Sequence, residues 1–327
     1  MSELARVVSG ESIPLFRNGD TNATRGTRSG MLTRVTRGVY TPSAEWSKLA
    51  PWERYRARVR AASLRHPDAV LFLESAASAH GLPLFGDPVD VHVLGGSEHR
   101  SRQSGGIIAH TTSAPRALEA IGGVLVCGLA DTVVDFARAR HPAIALAVAD
   151  AALRRDTGLT VEQLVALNES RGTSRGRRRA RWVLHRASPL AESPLQSVDR
   201  AVIEWLGFPD PELQVWIGTD RVDKWWPGSR IAGESDGDLK YGGPVGQGND
   251  ELRRRHRRDA RLFERGVAAV PHWGWAETLA VDPLHAILRS AGLRAIHPHN
   301  AVPLFSLQRA VSPARTARTQ MPDESTA

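Results

Sequence analysis

Cysteine is almost missing: the 327 residues contain one, Cys127. A single thiol excludes an intramolecular disulfide and any zinc site built from several cysteines. Its setting in the apolar run VLVCGL predicts a buried structural thiol rather than a nucleophile. Long apolar runs are missing as well; none approaches the roughly 18 residues of a membrane span. The opening MSELARVVSGES has no basic region followed by an apolar core, so no signal peptide is expected. These absences predict a cytoplasmic protein with no membrane partner. What the chain does have is the composition of a folded protein, 41% hydrophobic and 24% charged residues, with a length that suggests two domains and room for a small third. The formal net charge is +8, from 43 Lys and Arg against 35 Asp and Glu. That balance favours a polyanionic partner, although basic proteins without one are common.

Residues 1 to 30 are poor in apolar side chains and predict no convincing helix. The stretch Leu32 to Thr41 reads as a hairpin or wing, bent at Gly38, with Arg34 and Arg37 placed to touch phosphates or simply to be solvated. A helix follows in PWERYRARVRAASLRH, with Trp52, Tyr55, Val59 and Ala62 on one face. The runs VDVHVLG, GGIIAHTT and GGVLVCG read as strands, and Ser113 to Glu119 as a turn into a short helix. Helices are predicted over Asp131 to Arg140, Ala143 to Arg155 and Thr160 to Asn168. His80, His92 and His110 fall on three different elements and read as capping or partly exposed residues. GTSRGRRRAR, with Arg177, Arg178 and Arg179, reads as a solvated basic connector suited to lie against nucleic acid.

From Ala191 onward the pattern is α-β-β-β-α-β-α. Leu195, Val198, Val202 and Trp205 mark the inward face of the first helix. The runs RVDKWW and RIAGES are joined by Pro-Gly-Ser, which predicts adjacent strands. They bring Asp223, Glu234 and Asp236 to one end of a sheet, with Lys240 close behind. Such oxygen ligands suit Mg²⁺, with Mn²⁺ as a substitute, and a nearby ammonium can stabilise developing negative charge, which is what phosphodiester cleavage requires. The same Asp-Gly pairs are also ordinary turn chemistry. The helix ELRRRHRRDARLFERG carries Arg254, Arg257, Arg258 and Arg261 among its cations, and Leu252, Ala260 and Phe263 are expected in the core. It suits a phosphate-tracking surface or, alternatively, a solvated face. Trp225, Trp226, Trp273 and Trp275 are placed to stack on bases or to fill the core. The end, SPARTARTQMPDESTA, reads as a disordered tail.

The order of RVTRGVYTP, LESAASAHGLPLFG, VDVHVLGG and ADTVVDFARARHPAIALAVADAALRR resembles the AbiEi-type antitoxins of bacterial toxin–antitoxin systems. That resemblance implies a DNA-binding winged helix at the N-terminus, although NGDTNATRGTRSG lacks the period of a recognition helix. The motif RVD...GESDG..KY resembles the restriction-endonuclease-like PD-(D/E)xK superfamily, in particular very-short-patch-repair-like domains of actinobacteria. The second resemblance implies that Asp223 and Glu234 hold a metal, that Asp236 stands where the simplest motif has lysine, and that Lys240 supplies the ammonium. It also implies an auxiliary acid on the first helix, where SPLQS carries Gln196, with Glu192 one turn earlier. Glutamine can hold a water but cannot neutralise a cation.

The expected organisation is α/β (α+β). A partial winged-helix-like region spans 1–45, an AbiEi-like α/β domain 46–168, a basic linker 169–190, a nuclease-like domain 191–293 and a tail 294–327. The expected function is a DNA-interacting, antitoxin- or regulator-like bacterial protein. An active Mg²⁺-dependent endonuclease is one alternative. A protein-binding antitoxin, paired with a cognate toxin and carrying a silent nuclease fold, is the other.

Overall fold

Alternating apolar residues build the strands of this protein, and alanine-rich or amphipathic runs build its helices. The computed structural model describes residues 13–19, 23–95, 102–112, 114–236 and 247–311, and shows a mixed α/β architecture with sheets of three, six and four strands. No helix among the described residues is long and apolar enough to cross a membrane.

The first sheet contains β1 (Phe16–Arg17), β2 (Leu32–Thr36) and β3 (Val39–Pro42), in the order β1-β3-β2, with α1 (Ala23–Arg28) between its first two strands. β2 and β3 form the expected hairpin, turned at Gly38 with φ +78°. α1 is a short helix that the sequence did not predict. It is held close to β2 because Gly26 lies where a Cβ would meet Leu32 Cδ1 at 2.5 Å. After α2 (Ser43–Lys48) comes α3 (Pro51–Arg65), which starts on Pro51 and has Glu53 accepting from the Ala50 amide. Tyr55, Val59 and Ala62 are buried as predicted, whereas Trp52 is exposed at the first turn.

The second sheet holds β4 (Val70–Leu71), β5 (Val91–Gly95), β6 (Arg102–Ser104), β7 (Ile107–Thr111), β8 (Leu118–Ile121) and β9 (Val124–Cys127), in the order β6-β7-β5-β4-β9-β8; α4 (Leu73–Ala79) follows β4. Residues 118–121 are thus a strand, not the short helix expected after Ser113. Gly122 and Gly123, both at positive φ, make the tight turn that returns the chain antiparallel into β9. Cys127 is fully buried, and burial pushes its thiol up to about 12.

Four helices follow: α5 (Leu129–Ala139), α6 (Pro142–Arg155), α7 (Val161–Ser170) and α8 (Arg177–Leu184). The basic connector is therefore largely a packed helix. Ala180, Val183 and Leu184 of α8 are fully buried, because the apolar residues after the arginine run fall on one face. Gly176, φ +73°, forms its N-cap where a Cβ would meet the Arg138 carbonyl oxygen at 2.3 Å.

The last part contains α9 (Pro194–Trp205), β10 (Glu212–Ile217), β11 (Asp220–Trp226), β12 (Ile231–Ser235), α10 (Gln247–Glu264), β13 (His272–Trp273), α11 (Trp275–Ala280), α12 (Asp282–Ser290) and α13 (Ala301–Val311). Apart from the short α11 and the added α13, this is the predicted order. The sheet runs β10-β11-β12-β13, antiparallel except for β13, which lies parallel to β12. α13 falls within the segment read as a tail, and its Leu307 is buried; the stretch 312–327 lies outside the described residues. The largest apolar cluster runs through both halves of the chain, joining Ala147 and Leu184 to Val198 and Val202.

Gly176 offers a test of the packed α8. Gly176→Ala meets both a positive φ and a backbone oxygen, so it should lower unfolding free energy by about 2 kcal/mol or more in urea denaturation. A solvated connector at this point would tolerate alanine.

Candidate functional site

The register of the four-stranded sheet assembles one polar row. β10 pairs with β11 through Leu213↔Lys224 and Val215↔Val222, which places Gln214 level with Asp223. β11 pairs with β12 through Lys224↔Gly233, so the next step sets Asp223 opposite Glu234. Glu234 in turn pairs with His272 of β13. Directly opposed residues share a face, so Gln214, Asp223, Glu234 and His272 cross the sheet side by side. Two carboxylates opposite one another are unfavourable on an ordinary sheet. Burial pushes the Glu234 carboxyl up, and Asp223 raises it further, against the pull of Arg258. Gln214 has φ +54°, a left-handed backbone for a residue with a long side chain, and strain of this kind concentrates at functional sites. Its Nε2 donates to Asp223 Oδ1 at 3.2 Å and to Gln196 Oε1 at 3.4 Å. The Ser235 amide fixes the other Asp223 oxygen at 3.0 Å.

α10 covers this row with a ladder of arginines. Arg255 pairs with Asp236 at 2.8 Å, Arg258 with Glu234 at 2.7 Å, and Arg261 and Arg265 with Asp220. Their spacing of three or four residues keeps them on one side of the helix. This sets its rotation. Leu262 is the fully buried residue, while Leu252, Phe263 and Ala260, expected inside, are exposed. Arg257 remains exposed, and Arg254 is exposed but has an interaction of its own. His272 bridges Asp236 at 2.8 Å and Asp259 at 3.2 Å. Burial opposes its charge, but the two carboxylates more than offset that and raise its pKa.

The opposite face of the same strands holds a buried ion pair. Lys224 on β11 and Asp199 on α9 are both fully buried, with Lys224 Nζ 2.9 Å from Asp199 Oδ1 and 3.0 Å from Oδ2. Ser235 on β12 and the Trp273 indole on β13, at 2.7 Å, also donate to Asp199. Four elements therefore meet at one carboxylate, one residue away from Asp223 and from Glu234.

Other predicted residues lie apart from the row or beside it. Gln196 is buried at the start of α9, where its Oε1 accepts from the Glu192 amide at 2.6 Å. The Glu192 carboxylate turns outward to Arg221, at 2.7 and 2.8 Å. Lys240 lies outside the described residues. Arg34 and Arg37 are exposed on the hairpin, and Arg178 and Arg179 on α8. Arg177 is tied to backbone carbonyls of Arg171 and Thr173. Trp226 and Trp273 are buried, which fits core packing, while Trp225 and Trp275 are half-buried. Among the described residues no group of three or more His, Cys, Asp and Glu side chains is placed to hold a metal ion.

Two curated proteins of Mycobacterium tuberculosis compare with this chain: "Uncharacterized protein MT2308" of strain CDC 1551/Oshkosh and "Uncharacterized protein Rv2248" of strain H37Rv. Each is 36% identical over 208 residues, covering 62% of this chain and 73% of the relative. The chain belongs to their family. No protein-family model matches it, and no solved structure does.

A second polar cluster was missed because its members are far apart in sequence. His92 Nδ1 and His110 Nε2 are 2.8 Å apart, and Glu74 lies 3.4 Å from His92 while paired with Arg140. The histidines expected to stand separately are thus joined, because β5 and β7 run parallel in adjacent register. His80 is separate and buried, 2.8 Å from the Cys127 carbonyl. Missed too were Gln214 and His272, whose roles depend on strand register.

Lys224→Met leaves Asp199 buried without its counter-ion and should cost about 3–5 kcal/mol in chemical denaturation, with Lys224→Met/Asp199→Leu recovering part of the loss. Burial first, then the neighbouring His92, depress His110 to about 4 from the ordinary 6.5. Protonation therefore costs the folded state more than the unfolded one. The contribution is intact above about pH 6.5 and is lost toward pH 4, by no more than about 1–2 kcal/mol after solvent screening. Unfolding titrations at pH 7 and 4.5 should show a smaller difference in His110→Gln than in the wild type.

Proposed function

We propose that this is a DNA-interacting protein of the AbiEi-antitoxin-like type, with a C-terminal PD-(D/E)xK, very-short-patch-repair-like domain whose Asp223–Glu234 pair acts on phosphodiesters. The observation that carries the reading is the opposition of Asp223 and Glu234 on adjacent strands, oriented by Gln214 and the Ser235 amide. The α9-β10-β11-β12-α10-β13 order supports the nuclease-type fold, and the β2–β3 hairpin with exposed Arg34 and Arg37 supports a wing-like N-terminus. DNA as partner is supported by the charge of +8 and by exposed arginines on the hairpin, α8 and α10.

The donor set fits Mg²⁺, with Mn²⁺ as substitute. Mg²⁺ would supply Lewis-acid polarisation and an acidified water. Asp223 and Glu234 provide the oxygens, and Gln196 holds the end of α9 against Gln214 beside them. Arg258 places a guanidinium at Glu234, where a phosphate oxygen would find a donor. His272 and Arg255 both hold Asp236, so Asp236 is engaged by them and does not replace the motif lysine. By the resemblance that ammonium would come from Lys240, which lies outside the described residues.

A second reading, DNA binding without cleavage, is favoured by the ion pairs that Glu234 and Asp236 already make with Arg258 and Arg255. Incubation of supercoiled DNA with Mg²⁺ or Mn²⁺ decides between them. Nicking is expected to vanish with EDTA and to fall at least about 100-fold in Asp223→Asn and Glu234→Gln. Because burial raises the Glu234 pKa, activity should increase with pH through that ionisation. Salt-sensitive binding with no nicking in the wild type selects the second reading. Neither binding nor nicking removes both, and leaves a cognate toxin as the partner to test.

A further inference from the structure

The arginines of α8 are not absorbed by the site on the four-stranded sheet. Arg178 and Arg179 stand instead at the mouth of a cleft between α8, the start of α6 and α13, with a volume of about 670 Å³. That size suits a small organic ligand. Its inner wall is aromatic and preformed: Trp182 stacks on the buried Trp205 at 5.0 Å, and His141 stands edge-on to Trp205 at 5.6 Å. α13 closes the other side. His141 Nε2 meets the Pro303 carbonyl at 2.9 Å, and the Asn300 amide donates to the Trp205 carbonyl at 2.7 Å. Val302 and Pro303 extend the apolar wall, and the Asn300 side chain offers both a donor and an acceptor beside it.

The charge of the cleft is one-sided. Arg140, Arg178, Arg179 and Arg309 line it, and no Asp or Glu does. Arg140 is neutralised by Glu74. Arg179 donates to the Arg138 carbonyl and has no carboxylate partner among the described residues. Arg178 and Arg309 have no carboxylate partner among the described residues. An apolar, aromatic-walled cleft with a neutral amide at its side and guanidinium groups at its mouth is complementary to a flat heterocycle joined to a phosphate. We propose that this cleft binds a nucleotide, its base against the Trp182, Val302 and Pro303 wall and its phosphate between Arg178 and Arg309. The ligand is either a free nucleotide or an unpaired nucleotide of a DNA strand. The site is separate from the Asp223–Glu234 row, and its occupancy is read by binding alone.

Equilibrium binding by the full chain tests this with adenosine 5′-monophosphate, a duplex carrying one unpaired adenine, the same duplex fully paired, and laurate as an apolar anion without a base. The charge reversal Arg178→Glu/Arg309→Glu changes exposed side chains, and an unchanged thermal midpoint verifies the fold. Saturable binding of the mononucleotide, weakened at least about tenfold by the charge reversal, establishes the free nucleotide. An at least about tenfold preference for the unpaired over the paired duplex, abolished by the reversal, establishes the strand-borne one. The proposal is overturned if neither occurs, if nucleotide binding survives the reversal, or if laurate saturates the protein while every nucleotide probe fails.

Discussion

The Lys224–Asp199 pair is the interaction on which the C-terminal half depends. Removing two charges from water is costly, and their attraction offsets the cost only when the remaining polar atoms are also satisfied. Here Ser235 and Trp273 both donate to Asp199 Oδ2, Oδ1 faces only the Lys224 ammonium among the described residues, and α9, β11, β12 and β13 are fixed to one another through a single side chain. Strand alternation carries this constraint through the sheet. Lys224 and Ser235 face the buried pair, and their neighbours Asp223 and Glu234 therefore face the other way. The distance between the two carboxylates is thus governed by a contact that neither of them makes. Gly233 allows the close fit on the buried side, since a Cβ there would meet the Trp273 ring at 2.5 Å.

On the chemical face the acids organise the cations. A helix with six arginines between positions 253 and 261 has no inherent inner side. Asp220, Glu234 and Asp236 give it one by pairing with Arg261, Arg258 and Arg255. Exposed ion pairs contribute little to stability, but several in a row define a rotation. Arg258 and Arg261 are therefore not freely available to phosphates; a polyanion reaching the row has to compete with Glu234 and Asp220 for them. Arg257 is presented outward without such a partner among the described residues.

Local pattern made much of this legible in advance. Leu195, Val198, Val202 and Trp205 announced the buried face of α9 by their spacing, and the Pro-Gly-Ser turn announced the β11–β12 hairpin that opposes Asp223 to Glu234. What the sequence hid depends on partners distant along the chain. Nothing near His92 marks it as a neighbour of His110 until parallel strand pairing is known. The phase of α10 was misread because Leu252 and Phe263 look like core residues, whereas the ion pairs turn them out and Leu262 in. The α8 segment was misread for the opposite reason. Its arginine run dominates the composition, while Ala180, Val183 and Leu184 determine its fold.

That packed α8 also changes how the two halves of the chain relate. α6 lies against α8 on one side and α9 on another, and the apolar cluster is continuous across them. Polar contacts cross the same boundary: Asp150 on α6 is buried, pairs with Arg200 on α9 at 2.8 Å and accepts from the Ser188 amide at 2.7 Å. Burial raises the Asp150 carboxyl and Arg200 lowers it, so its ionisation is coupled to the docking of α9. α9 carries Asp199 as well as Arg200. Adjacent residues of one helix therefore anchor the middle of the chain on one side and the site-bearing sheet on the other. A disturbance of α6 or α8 has a short physical path to the spacing of Asp223 and Glu234, with no loop between them to absorb it.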